Sequence, residues 1–312
     1  MIKNISTIKA LAILSVVAAH VDIKVTNSDL FGALQYFYFA FGSLGVGLFF
    51  ILAGASFSEK VFKASENYQK IKKYAAPWII SGTAIYIYLY IRKGSPFISY
   101  FEYLIGNGSY LYFMSMLSIF LLGGSALQGK RTRQLLLIIS LIYIMFSKKI
   151  MPPGVSEHLN ILLWTPYFLF GFVIAKSKSA LETITSPEFL AIILTAALSF
   201  VLQETGIIAP SALNYQNPIL VFLVCGIFVL LSNSIITPGG DKINIIGRNT
   251  LFIYLWHMPF IGIFNYLANN FLIYIHFISP LLVLFLFFLA IVFAIRINLN
   301  MKLAKLIGIT KV

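Results

Sequence analysis

The chain is poor in charged side chains and contains a single cysteine. Only 11% of its 312 residues are Asp, Glu, Lys or Arg, whereas 59% are hydrophobic and the mean hydropathy is +0.90. Soluble domains carry about 25% charged residues, so this composition excludes an ordinary soluble protein and is typical of a polytopic membrane protein. The lone Cys225 rules out an internal disulfide, and its apolar neighbours predict a small core residue.

Acidic residues are scarcer than basic ones: 10 Asp and Glu against 23 Lys and Arg give a formal net charge of +13. The basic residues cluster in short segments between apolar runs, which is the pattern that orients membrane proteins. We therefore expect membrane lipids, and no nucleic acid, among the partners. The sequence also lacks internal repeats, a Gly-rich phosphate loop and a cluster with metal-ligand spacing, so no metal site is predicted.

Ten apolar segments predict an all-α fold, a polytopic membrane helix bundle of about ten transmembrane helices at ~20 residues per span. They are residues 5–23, 36–57, 74–91, 104–126, 134–147, 160–175, 188–203, 217–234, 249–268 and 278–296. No charged, loop-rich stretch is long enough for an appended soluble domain, so we expect residues 1–312 to form a single integral-membrane domain. The first segment has flanks like those of a signal peptide, but the many later spans favour an uncleaved first helix.

The distribution of positive charge predicts the orientation of this bundle. With the N-terminus inside, ten spans place most basic residues in inner segments. The outer loops then hold only Lys24, Arg92, Lys93, Lys148 and Lys149. Cytoplasmic segments carry an excess of Lys and Arg, so both termini are predicted to be cytoplasmic.

The first apolar segment carries two ionisable residues, Lys9 and His20, on either side of ten mostly apolar ones. Eleven helical steps turn about 1100°, close to three full turns, so both side chains lie on one helix face roughly 16 Å apart. An ionisable group inside a membrane is costly unless it faces the bundle interior, so His20 is a candidate functional residue. The alternative is a histidine that hydrogen-bonds to a neighbouring helix or reaches water near the surface.

The ninth segment carries a polar stripe of Thr250, Tyr254 and His257 at helical spacing. The stripe either hydrogen-bonds to neighbouring helices or lines a cavity. His257 lies roughly 13 Å beyond Arg248, which enters from the same side as Lys9. We therefore expect His20 and His257 to lie at similar depths, which favours a lined cavity.

Four further patterns are less specific. The cluster Lys70, Lys72 and Lys73 is either a positive-inside segment that touches anionic lipid or a docking site for a phosphorylated cytosolic ligand. The small residues of the second segment, including Gly42, Gly45, Gly47 and Gly54, predict close helix packing. The aromatic residues Tyr110, Tyr112, Trp164 and Tyr167 favour an interfacial belt over a glycan-stacking surface, and Glu157 and His158 are expected in a solvated loop.

Taken together, four motifs resemble the acyltransferase family 3 membrane proteins, which transfer acyl groups to sugars and other acceptors. The motifs are the pair Lys9 and His20, the segment Gly45-Val-Gly-Leu-Phe-Phe-Ile-Leu-Ala-Gly54, the lysines Lys70, Lys72 and Lys73 ahead of Pro77, and Tyr254-Leu-Trp-His257-Met-Pro259. The resemblance covers essentially the whole chain. This sequence departs from the family at three places. Lys9 stands where the family usually has arginine, the third-helix cluster has lysines in place of arginines, and Ala53 replaces the commoner serine. Lysine keeps the charge but loses bidentate phosphate geometry.

The resemblance implies an acyltransferase of the O-acetyltransferase type in a bacterial-type cytoplasmic membrane. Its donor would be cytosolic acyl-CoA, most often acetyl-CoA, and its acceptor a cell-surface glycan or a lipid-linked precursor. Lys9, Lys70, Lys72 and Lys73 would hold the donor phosphates. No cofactor is expected to be permanently bound, and a homo-oligomer is left open.

In this interpretation His20 is either the general base for an acceptor hydroxyl or a transient acyl carrier. His257 and Tyr254 would orient that base or stabilise the developing oxyanion. The rival interpretation is a transporter or export component of a polysaccharide pathway, because intramembrane histidines also serve proton-coupled carriers.

Overall fold

The computed structural model describes residues 4–20, 41–58, 64–93, 98–127, 129–150, 156–207, 215, 217–233, 240–271, 292 and 301–309, and these contain helices and no strand. The α-helices are α1 Ile5–Ala19, α2 Leu44–Ser58, α3 Ala64–Lys93, α4 Tyr100–Ile105, α5 Tyr112–Gly123, α6 Lys130–Ile150, α7 Ile161–Lys176, α8 Ala180–Ile184, α9 Pro187–Glu204, α10 Pro218–Asn233, α11 Gly240–Arg248, α12 Thr250–Phe271 and α13 Met301–Leu306. Two 3-10 turns, Gly124–Leu127 and Glu157–Leu159, complete the described secondary structure. The predicted all-α fold class is thereby confirmed.

Nine of the ten predicted spans overlap described helices, and the tenth, residues 278–296, lies outside the described residues except for Val292. The fourth span, 104–126, was predicted as one helix, and this is wrong. Gly106 and Gly108 adopt φ values of 93° and 74°, which end α4 in a left-handed cap before α5 begins. The intervening turn, residues 106–111, borders the candidate site.

Helix α1 is the centre of the packing that forms the site. It contacts α2, α10, α11 and α12, while α2 lies along α7. A Cβ added to Gly54 of α2 would lie 1.9 Å from the Phe168 carbonyl oxygen, and one on Gly171 of α7 would lie 2.2 Å from that of Ile51. Only glycine permits backbones to approach so closely, so the packing role predicted for the glycine-rich second segment is confirmed.

The outer faces of several helices are apolar and open. On α3 and α9, for example, Ile91 is 74% exposed and Leu194 is 69% exposed. By length and composition, the stretches Ile71–Ile91 and Pro187–Glu204 can each cross a bilayer, and the other apolar helices are shorter. Large exposed apolar faces are typical of contact with lipid. The ten-span count and the cytoplasmic termini stay predictions.

Candidate active site

A cavity of about 840 Å³ lies at the C-terminal end of α1. Its walls come from the last turn of α1, the start of α2, the later part of α3 and the middle of α12, and the turn 106–111 and the segment 156–158 border it. The walls are largely apolar. Their polar groups include two histidines, one carboxylate and several tyrosines, namely His20, His158, Glu157, Tyr88, Tyr103, Tyr110, Tyr112, Tyr215 and Tyr254. The volume is typical of a small-molecule site.

His20 and His257 meet beside this cavity. His20 follows the last residue of α1, where its backbone N–H donates to the Val17 carbonyl, and its side chain lies exposed on the cavity wall. His257 of α12 is fully buried behind it, and the two ring centroids are 5.1 Å apart. The expectation that the two histidines lie at a similar depth is confirmed.

The tautomer of His257 follows from its hydrogen bond. Its Nδ1 lies 2.6 Å from the Tyr254 carbonyl oxygen, which can only accept, so Nδ1 carries the proton. The neutral ring then keeps its lone pair on Nε2, which is buried and has no hydrogen-bond partner among the described residues. A buried imidazole nitrogen is thus available as an acceptor next to His20.

Helix α12 is fixed against the turn 106–111 by two reciprocal hydrogen bonds. The Tyr110 hydroxyl donates to the Leu255 carbonyl at 2.7 Å, and the Tyr254 hydroxyl donates to the Tyr110 carbonyl. The Leu255 carbonyl lacks its usual helical donor because the residue four positions on is Pro259. The Tyr254 hydroxyl is therefore engaged with the backbone, which favours orientation over direct stabilisation of an oxyanion.

The expectation of a solvated loop at Glu157 and His158 is met in part, since their side chains are 42% and 33% exposed, but it is wrong in that both face a cavity. His158 stacks on Tyr112 with centroids 4.7 Å apart, and both Glu157 and His158 line the cavity. Tyr112 in turn stacks on Trp164 at 5.6 Å, and the Trp164 indole donates to the His158 carbonyl at 2.8 Å. Burial lowers the pKa of His158, and the carboxylate of Glu157, 3.9 Å from Nε2, partly opposes that shift.

The predicted aromatic belt is also wrong. Trp164 and Tyr167 are completely buried, and Tyr110 and Tyr112 lie half-buried on the cavity wall. Trp164 and Tyr112 instead form one aromatic cluster inside the bundle with His158 and Tyr215. No periodicity marks this set in the sequence, because its members come from separate turns and helices.

The predicted donor-binding lysines lie apart from the cavity. Lys9 is half-buried on α1, Lys73 is exposed on α3, and the Lys72 ammonium sits 4.6 Å from the Tyr68 ring centroid. None of these three lines the cavity, and the side chain of Lys70 lies outside the described ones. No group of three or more His, Cys, Asp or Glu side chains that could hold a metal ion occurs in the described part of the chain.

A comparison with known families identifies the chain. The family model of acyltransferase family 3, described as an acyltransferase domain, matches residues 2–298. No curated protein and no solved structure matches the chain. The family match covers nearly the whole sequence and agrees with the motifs that converge on the cavity. The chain therefore belongs to the acyltransferase family 3 of membrane acyltransferases.

Proposed function

We propose that this membrane acyltransferase moves an acyl group, acetyl in the first instance, from cytosolic acyl-CoA to a hydroxyl of a cell-surface glycan or of its lipid-linked precursor. The observation that carries the proposal is the histidine pair. His20 lies on the wall of a ligand-sized cavity, and the buried Nε2 of His257 lies behind it without a partner among the described residues. The arrangement supports proton transfer at His20 with His257 as its positioning residue.

His20 acts as the general base in this proposal. A ring nitrogen of His20 takes the proton of the acceptor hydroxyl while the acceptor oxygen attacks the thioester carbonyl carbon. The carbon–sulfur bond then breaks, and the departing thiolate of coenzyme A takes the proton back from the imidazolium. In this proposal the second ring nitrogen of His20 turns toward the unpartnered Nε2 of His257 during the reaction and donates a hydrogen bond to it. The ring of His257 is itself held by the Tyr254 carbonyl.

The donor enters from the cytosolic side in this proposal. Lys9, together with Lys70, Lys72 and Lys73, attracts the donor phosphates, since lysine acts as a point charge toward phosphate. The roughly 16 Å between Lys9 and His20 on one helix face would be spanned by the pantetheine arm. The separation of these lysines from the cavity supports such a division between docking and chemistry.

The same proposal makes the chain a multi-pass protein of a bacterial-type cytoplasmic membrane with both termini inside. Single cysteines at Ser65 and Ser99, placed in a Cys225→Ser background, test this orientation. An impermeant maleimide applied to intact cells should label position 99 and reach position 65 only after the cells are opened. Labelling of position 65 from outside would contradict both the topology and the cytosolic donor.

Release of coenzyme A thiol tests the reaction itself. Purified wild-type protein should cleave acetyl-CoA slowly alone and faster with an acceptor, and His20→Ala should lower the rate by about 10²–10⁴-fold. His20→Asn keeps a polar side chain that cannot take up a proton, so it should be equally impaired. Thermal unfolding of each variant in detergent separates lost chemistry from lost folding.

Equal background rates in wild type and both His20 variants, with no acyl transfer in membranes, would refute the enzyme. The transporter interpretation would then hold. In that case, acidification or substrate flux measured in sealed vesicles should depend on His20 instead.

A further inference from the structure

The cavity has one wall that the proton transfer at His20 does not use. This apolar wall lies where α3 and α12 pack against each other, and it consists of Ile85 and Leu89 of α3 and Met258, Ile261 and Gly262 of α12. Met258, Ile261 and Gly262 are spaced i, i+3 and i+4, which places them on one helix face. Tyr88 also faces the cavity from α3, but among the described residues neither helix brings a charged side chain to the lining.

Gly262 leaves free space in this wall. A Cβ added to it would meet no atom of the described residues within 4 Å, although Gly262 lines the cavity. Gly42, another glycine of the lining, differs because its Cβ would lie 2.5 Å from the Cβ of Ala19. Glycine destabilises a helix relative to alanine, and close packing does not account for it at position 262. The effect of Gly262 is therefore to enlarge the cavity.

The apolar wall lies beyond the histidine pair on the path of the donor. Gly262 follows His257 by five residues, so it lies roughly 7 Å further along α12 from Arg248, which was predicted on the cytoplasmic side. In the proposed reaction, coenzyme A reaches His20 from the Lys9 end. The acyl chain is bonded to the opposite side of the thioester carbon from the sulfur. An acyl chain therefore extends past His20 in the direction of Gly262.

An acetyl group is too short to use this wall. It ends one carbon after the thioester carbonyl, whereas an extended hexanoyl chain carries five carbons past its carbonyl and spans about 6 Å. That length is comparable to the rise along α12 between His257 and Gly262. Each methylene that leaves water for the apolar wall should tighten donor binding severalfold. The cavity, at about 840 Å³, has room for such a chain and for part of an acceptor.

We propose that the apolar wall is the acyl-chain subsite of the donor, that it takes straight chains from butyryl to hexanoyl better than acetyl, and that Gly262 sets the longest chain admitted. The chain lies along Met258 and Ile261 with its end at Gly262, while the thioester carbonyl stays beside His20. This inference rests on the proposed acyl transfer and adds the class of the acyl group and a residue that selects it.

Donor chain length tests this subsite in the purified full-length protein, held in lipid nanodiscs so that no detergent tail competes for the wall. The probes are acetyl-, butyryl-, hexanoyl- and octanoyl-CoA, and the release of coenzyme A thiol gives kcat/KM for each. In the wild type, kcat/KM should rise about tenfold from acetyl- to hexanoyl-CoA. It should fall again at octanoyl-CoA, because that chain is longer than the wall. His20→Ala should lose release from every donor.

Substitution of Gly262 should change this profile. Gly262→Leu fills the free space, so it should lower kcat/KM for hexanoyl-CoA about tenfold more than for acetyl-CoA, and Gly262→Ala should give a smaller change in the same direction. Gly226→Leu is the matched control. Gly226 also lies within a helix, and its added Cβ meets no described atom within 4 Å, but it does not line the cavity. Its chain-length profile should equal that of the wild type.

Leu89→Ala tests the opposite change. It removes apolar bulk from the α3 side of the wall and should move the optimum from hexanoyl- toward octanoyl-CoA. Thermal unfolding of every variant separates a change in selectivity from a loss of folding. If Gly262→Leu does not fold, the smaller Gly262→Ala change still decides whether position 262 selects chain length.

Two results would overturn the subsite while the acyltransferase proposal stands. The first is a wild type that cleaves acetyl-CoA in a manner dependent on His20 but cleaves the longer donors more slowly. The second is an equal loss for all four donors in the Gly262 variants, because the wall would then act on folding or on the acceptor and not on the acyl chain. If the wild type cleaves none of the donors, the proposed function fails and the subsite fails with it.

Discussion

The two ends of α1 differ in how closely their neighbours pack around them. At the Lys9 end the helix is closed in, because a Cβ on Gly247 of α11 would lie 1.9 Å from the Ser6 carbonyl oxygen. At the other end a Cβ on Gly42 would lie 2.6 Å from the Ala19 Cα, yet the next residue, His20, faces an open cavity. Helix α1 therefore fixes Lys9 and the imidazole of His20, which the proposed function assigns to docking and to catalysis, roughly 16 Å apart.

In the proposed function, this difference separates donor docking from chemistry along a single helix. The cavity end is defined by contacts from α12 and from the segments 106–111 and 156–158, whereas the lysine end is defined by its position near a predicted membrane surface. Changes at the cavity end should therefore alter catalysis, and changes at the lysine end should alter donor binding.

Among the residues that surround His20, the largest expected effect is at His257. His257→Asn keeps a donor near Nδ1 for the Tyr254 carbonyl but has no acceptor near Nε2, so kcat should fall about 100-fold. His257→Gln places its acceptor near Nε2 and should retain more activity. Equal loss in both variants, measured as kcat for coenzyme A release at saturating donor, would mean that Nε2 does not position His20.

The second effect compares the two glycines that close the ends of α1. Gly247→Ala and Gly42→Ala should each destabilise the protein by about 1–3 kcal/mol, because their Cβ atoms would meet backbone. Only Gly42→Ala should also lower kcat per folded molecule, since it displaces the residue before His20. Thermal unfolding measures the loss of stability, and kcat per active molecule measures the loss of catalysis. An equal kcat in Gly247→Ala and Gly42→Ala would contradict the expectation that only the His20 end of α1 affects catalysis.

The third effect concerns Tyr110. Tyr110→Phe removes the hydroxyl that donates to the Leu255 carbonyl and should cost about 1–2 kcal/mol of unfolding free energy with a severalfold loss of kcat. Tyr100→Phe, which loses a hydroxyl outside the cavity, is the matched control. A Tyr110→Phe variant as active and as stable as that control would show that the turn 106–111 does not hold α12 in place.

The smallest effect is at Lys9. Lys9→Ala should raise the donor KM about fivefold with a smaller change in kcat, and added salt should weaken the donor affinity of the wild type because charges near water are screened. Lys9→Arg should preserve or lower the donor KM, since arginine can contact phosphate in bidentate fashion. A Lys9→Ala protein that inserts poorly but shows normal kinetics would assign Lys9 to orientation of the helix alone.

The contact between His20 and His257 was predictable because the rise per residue of a helix gives the depth of a side chain below a membrane surface. His20 lies eleven residues from Lys9 and His257 lies nine residues from Arg248, and both basic residues were predicted on the cytoplasmic side. These separations were sufficient to predict that the two histidines lie at similar depths. The glycine packing was predictable for a similar reason, since small residues at helical spacing have few other uses. Both predictions depend on local rules that act within one helix.

The other half of the site could not be derived in that way. His158 belongs to a 3-10 turn and Tyr112 begins α5, so their contact depends on how separate elements pack against each other. The break between α4 and α5 could have been found, because Gly106-Asn-Gly-Ser109 interrupts the apolar segment with a turn signal. The left-handed backbone of Gly106 and Gly108 confirms that turn. Pro259 in α12 was a sequence signal for the contact with the turn 106–111. Proline has no N–H, so the Leu255 carbonyl needs a donor from another part of the chain.

That distant donor has a consequence for how the protein is made. Tyr110 and Leu255 are 145 positions apart in the chain, so the hydrogen bond that joins them forms only after α12 has left the ribosome. A nascent chain that already contains His20 and the first half of the bundle still lacks the partner helix that completes the histidine pair. Incomplete molecules therefore carry no assembled site, and synthesis itself delays the appearance of a reactive imidazole until nearly the whole chain is present.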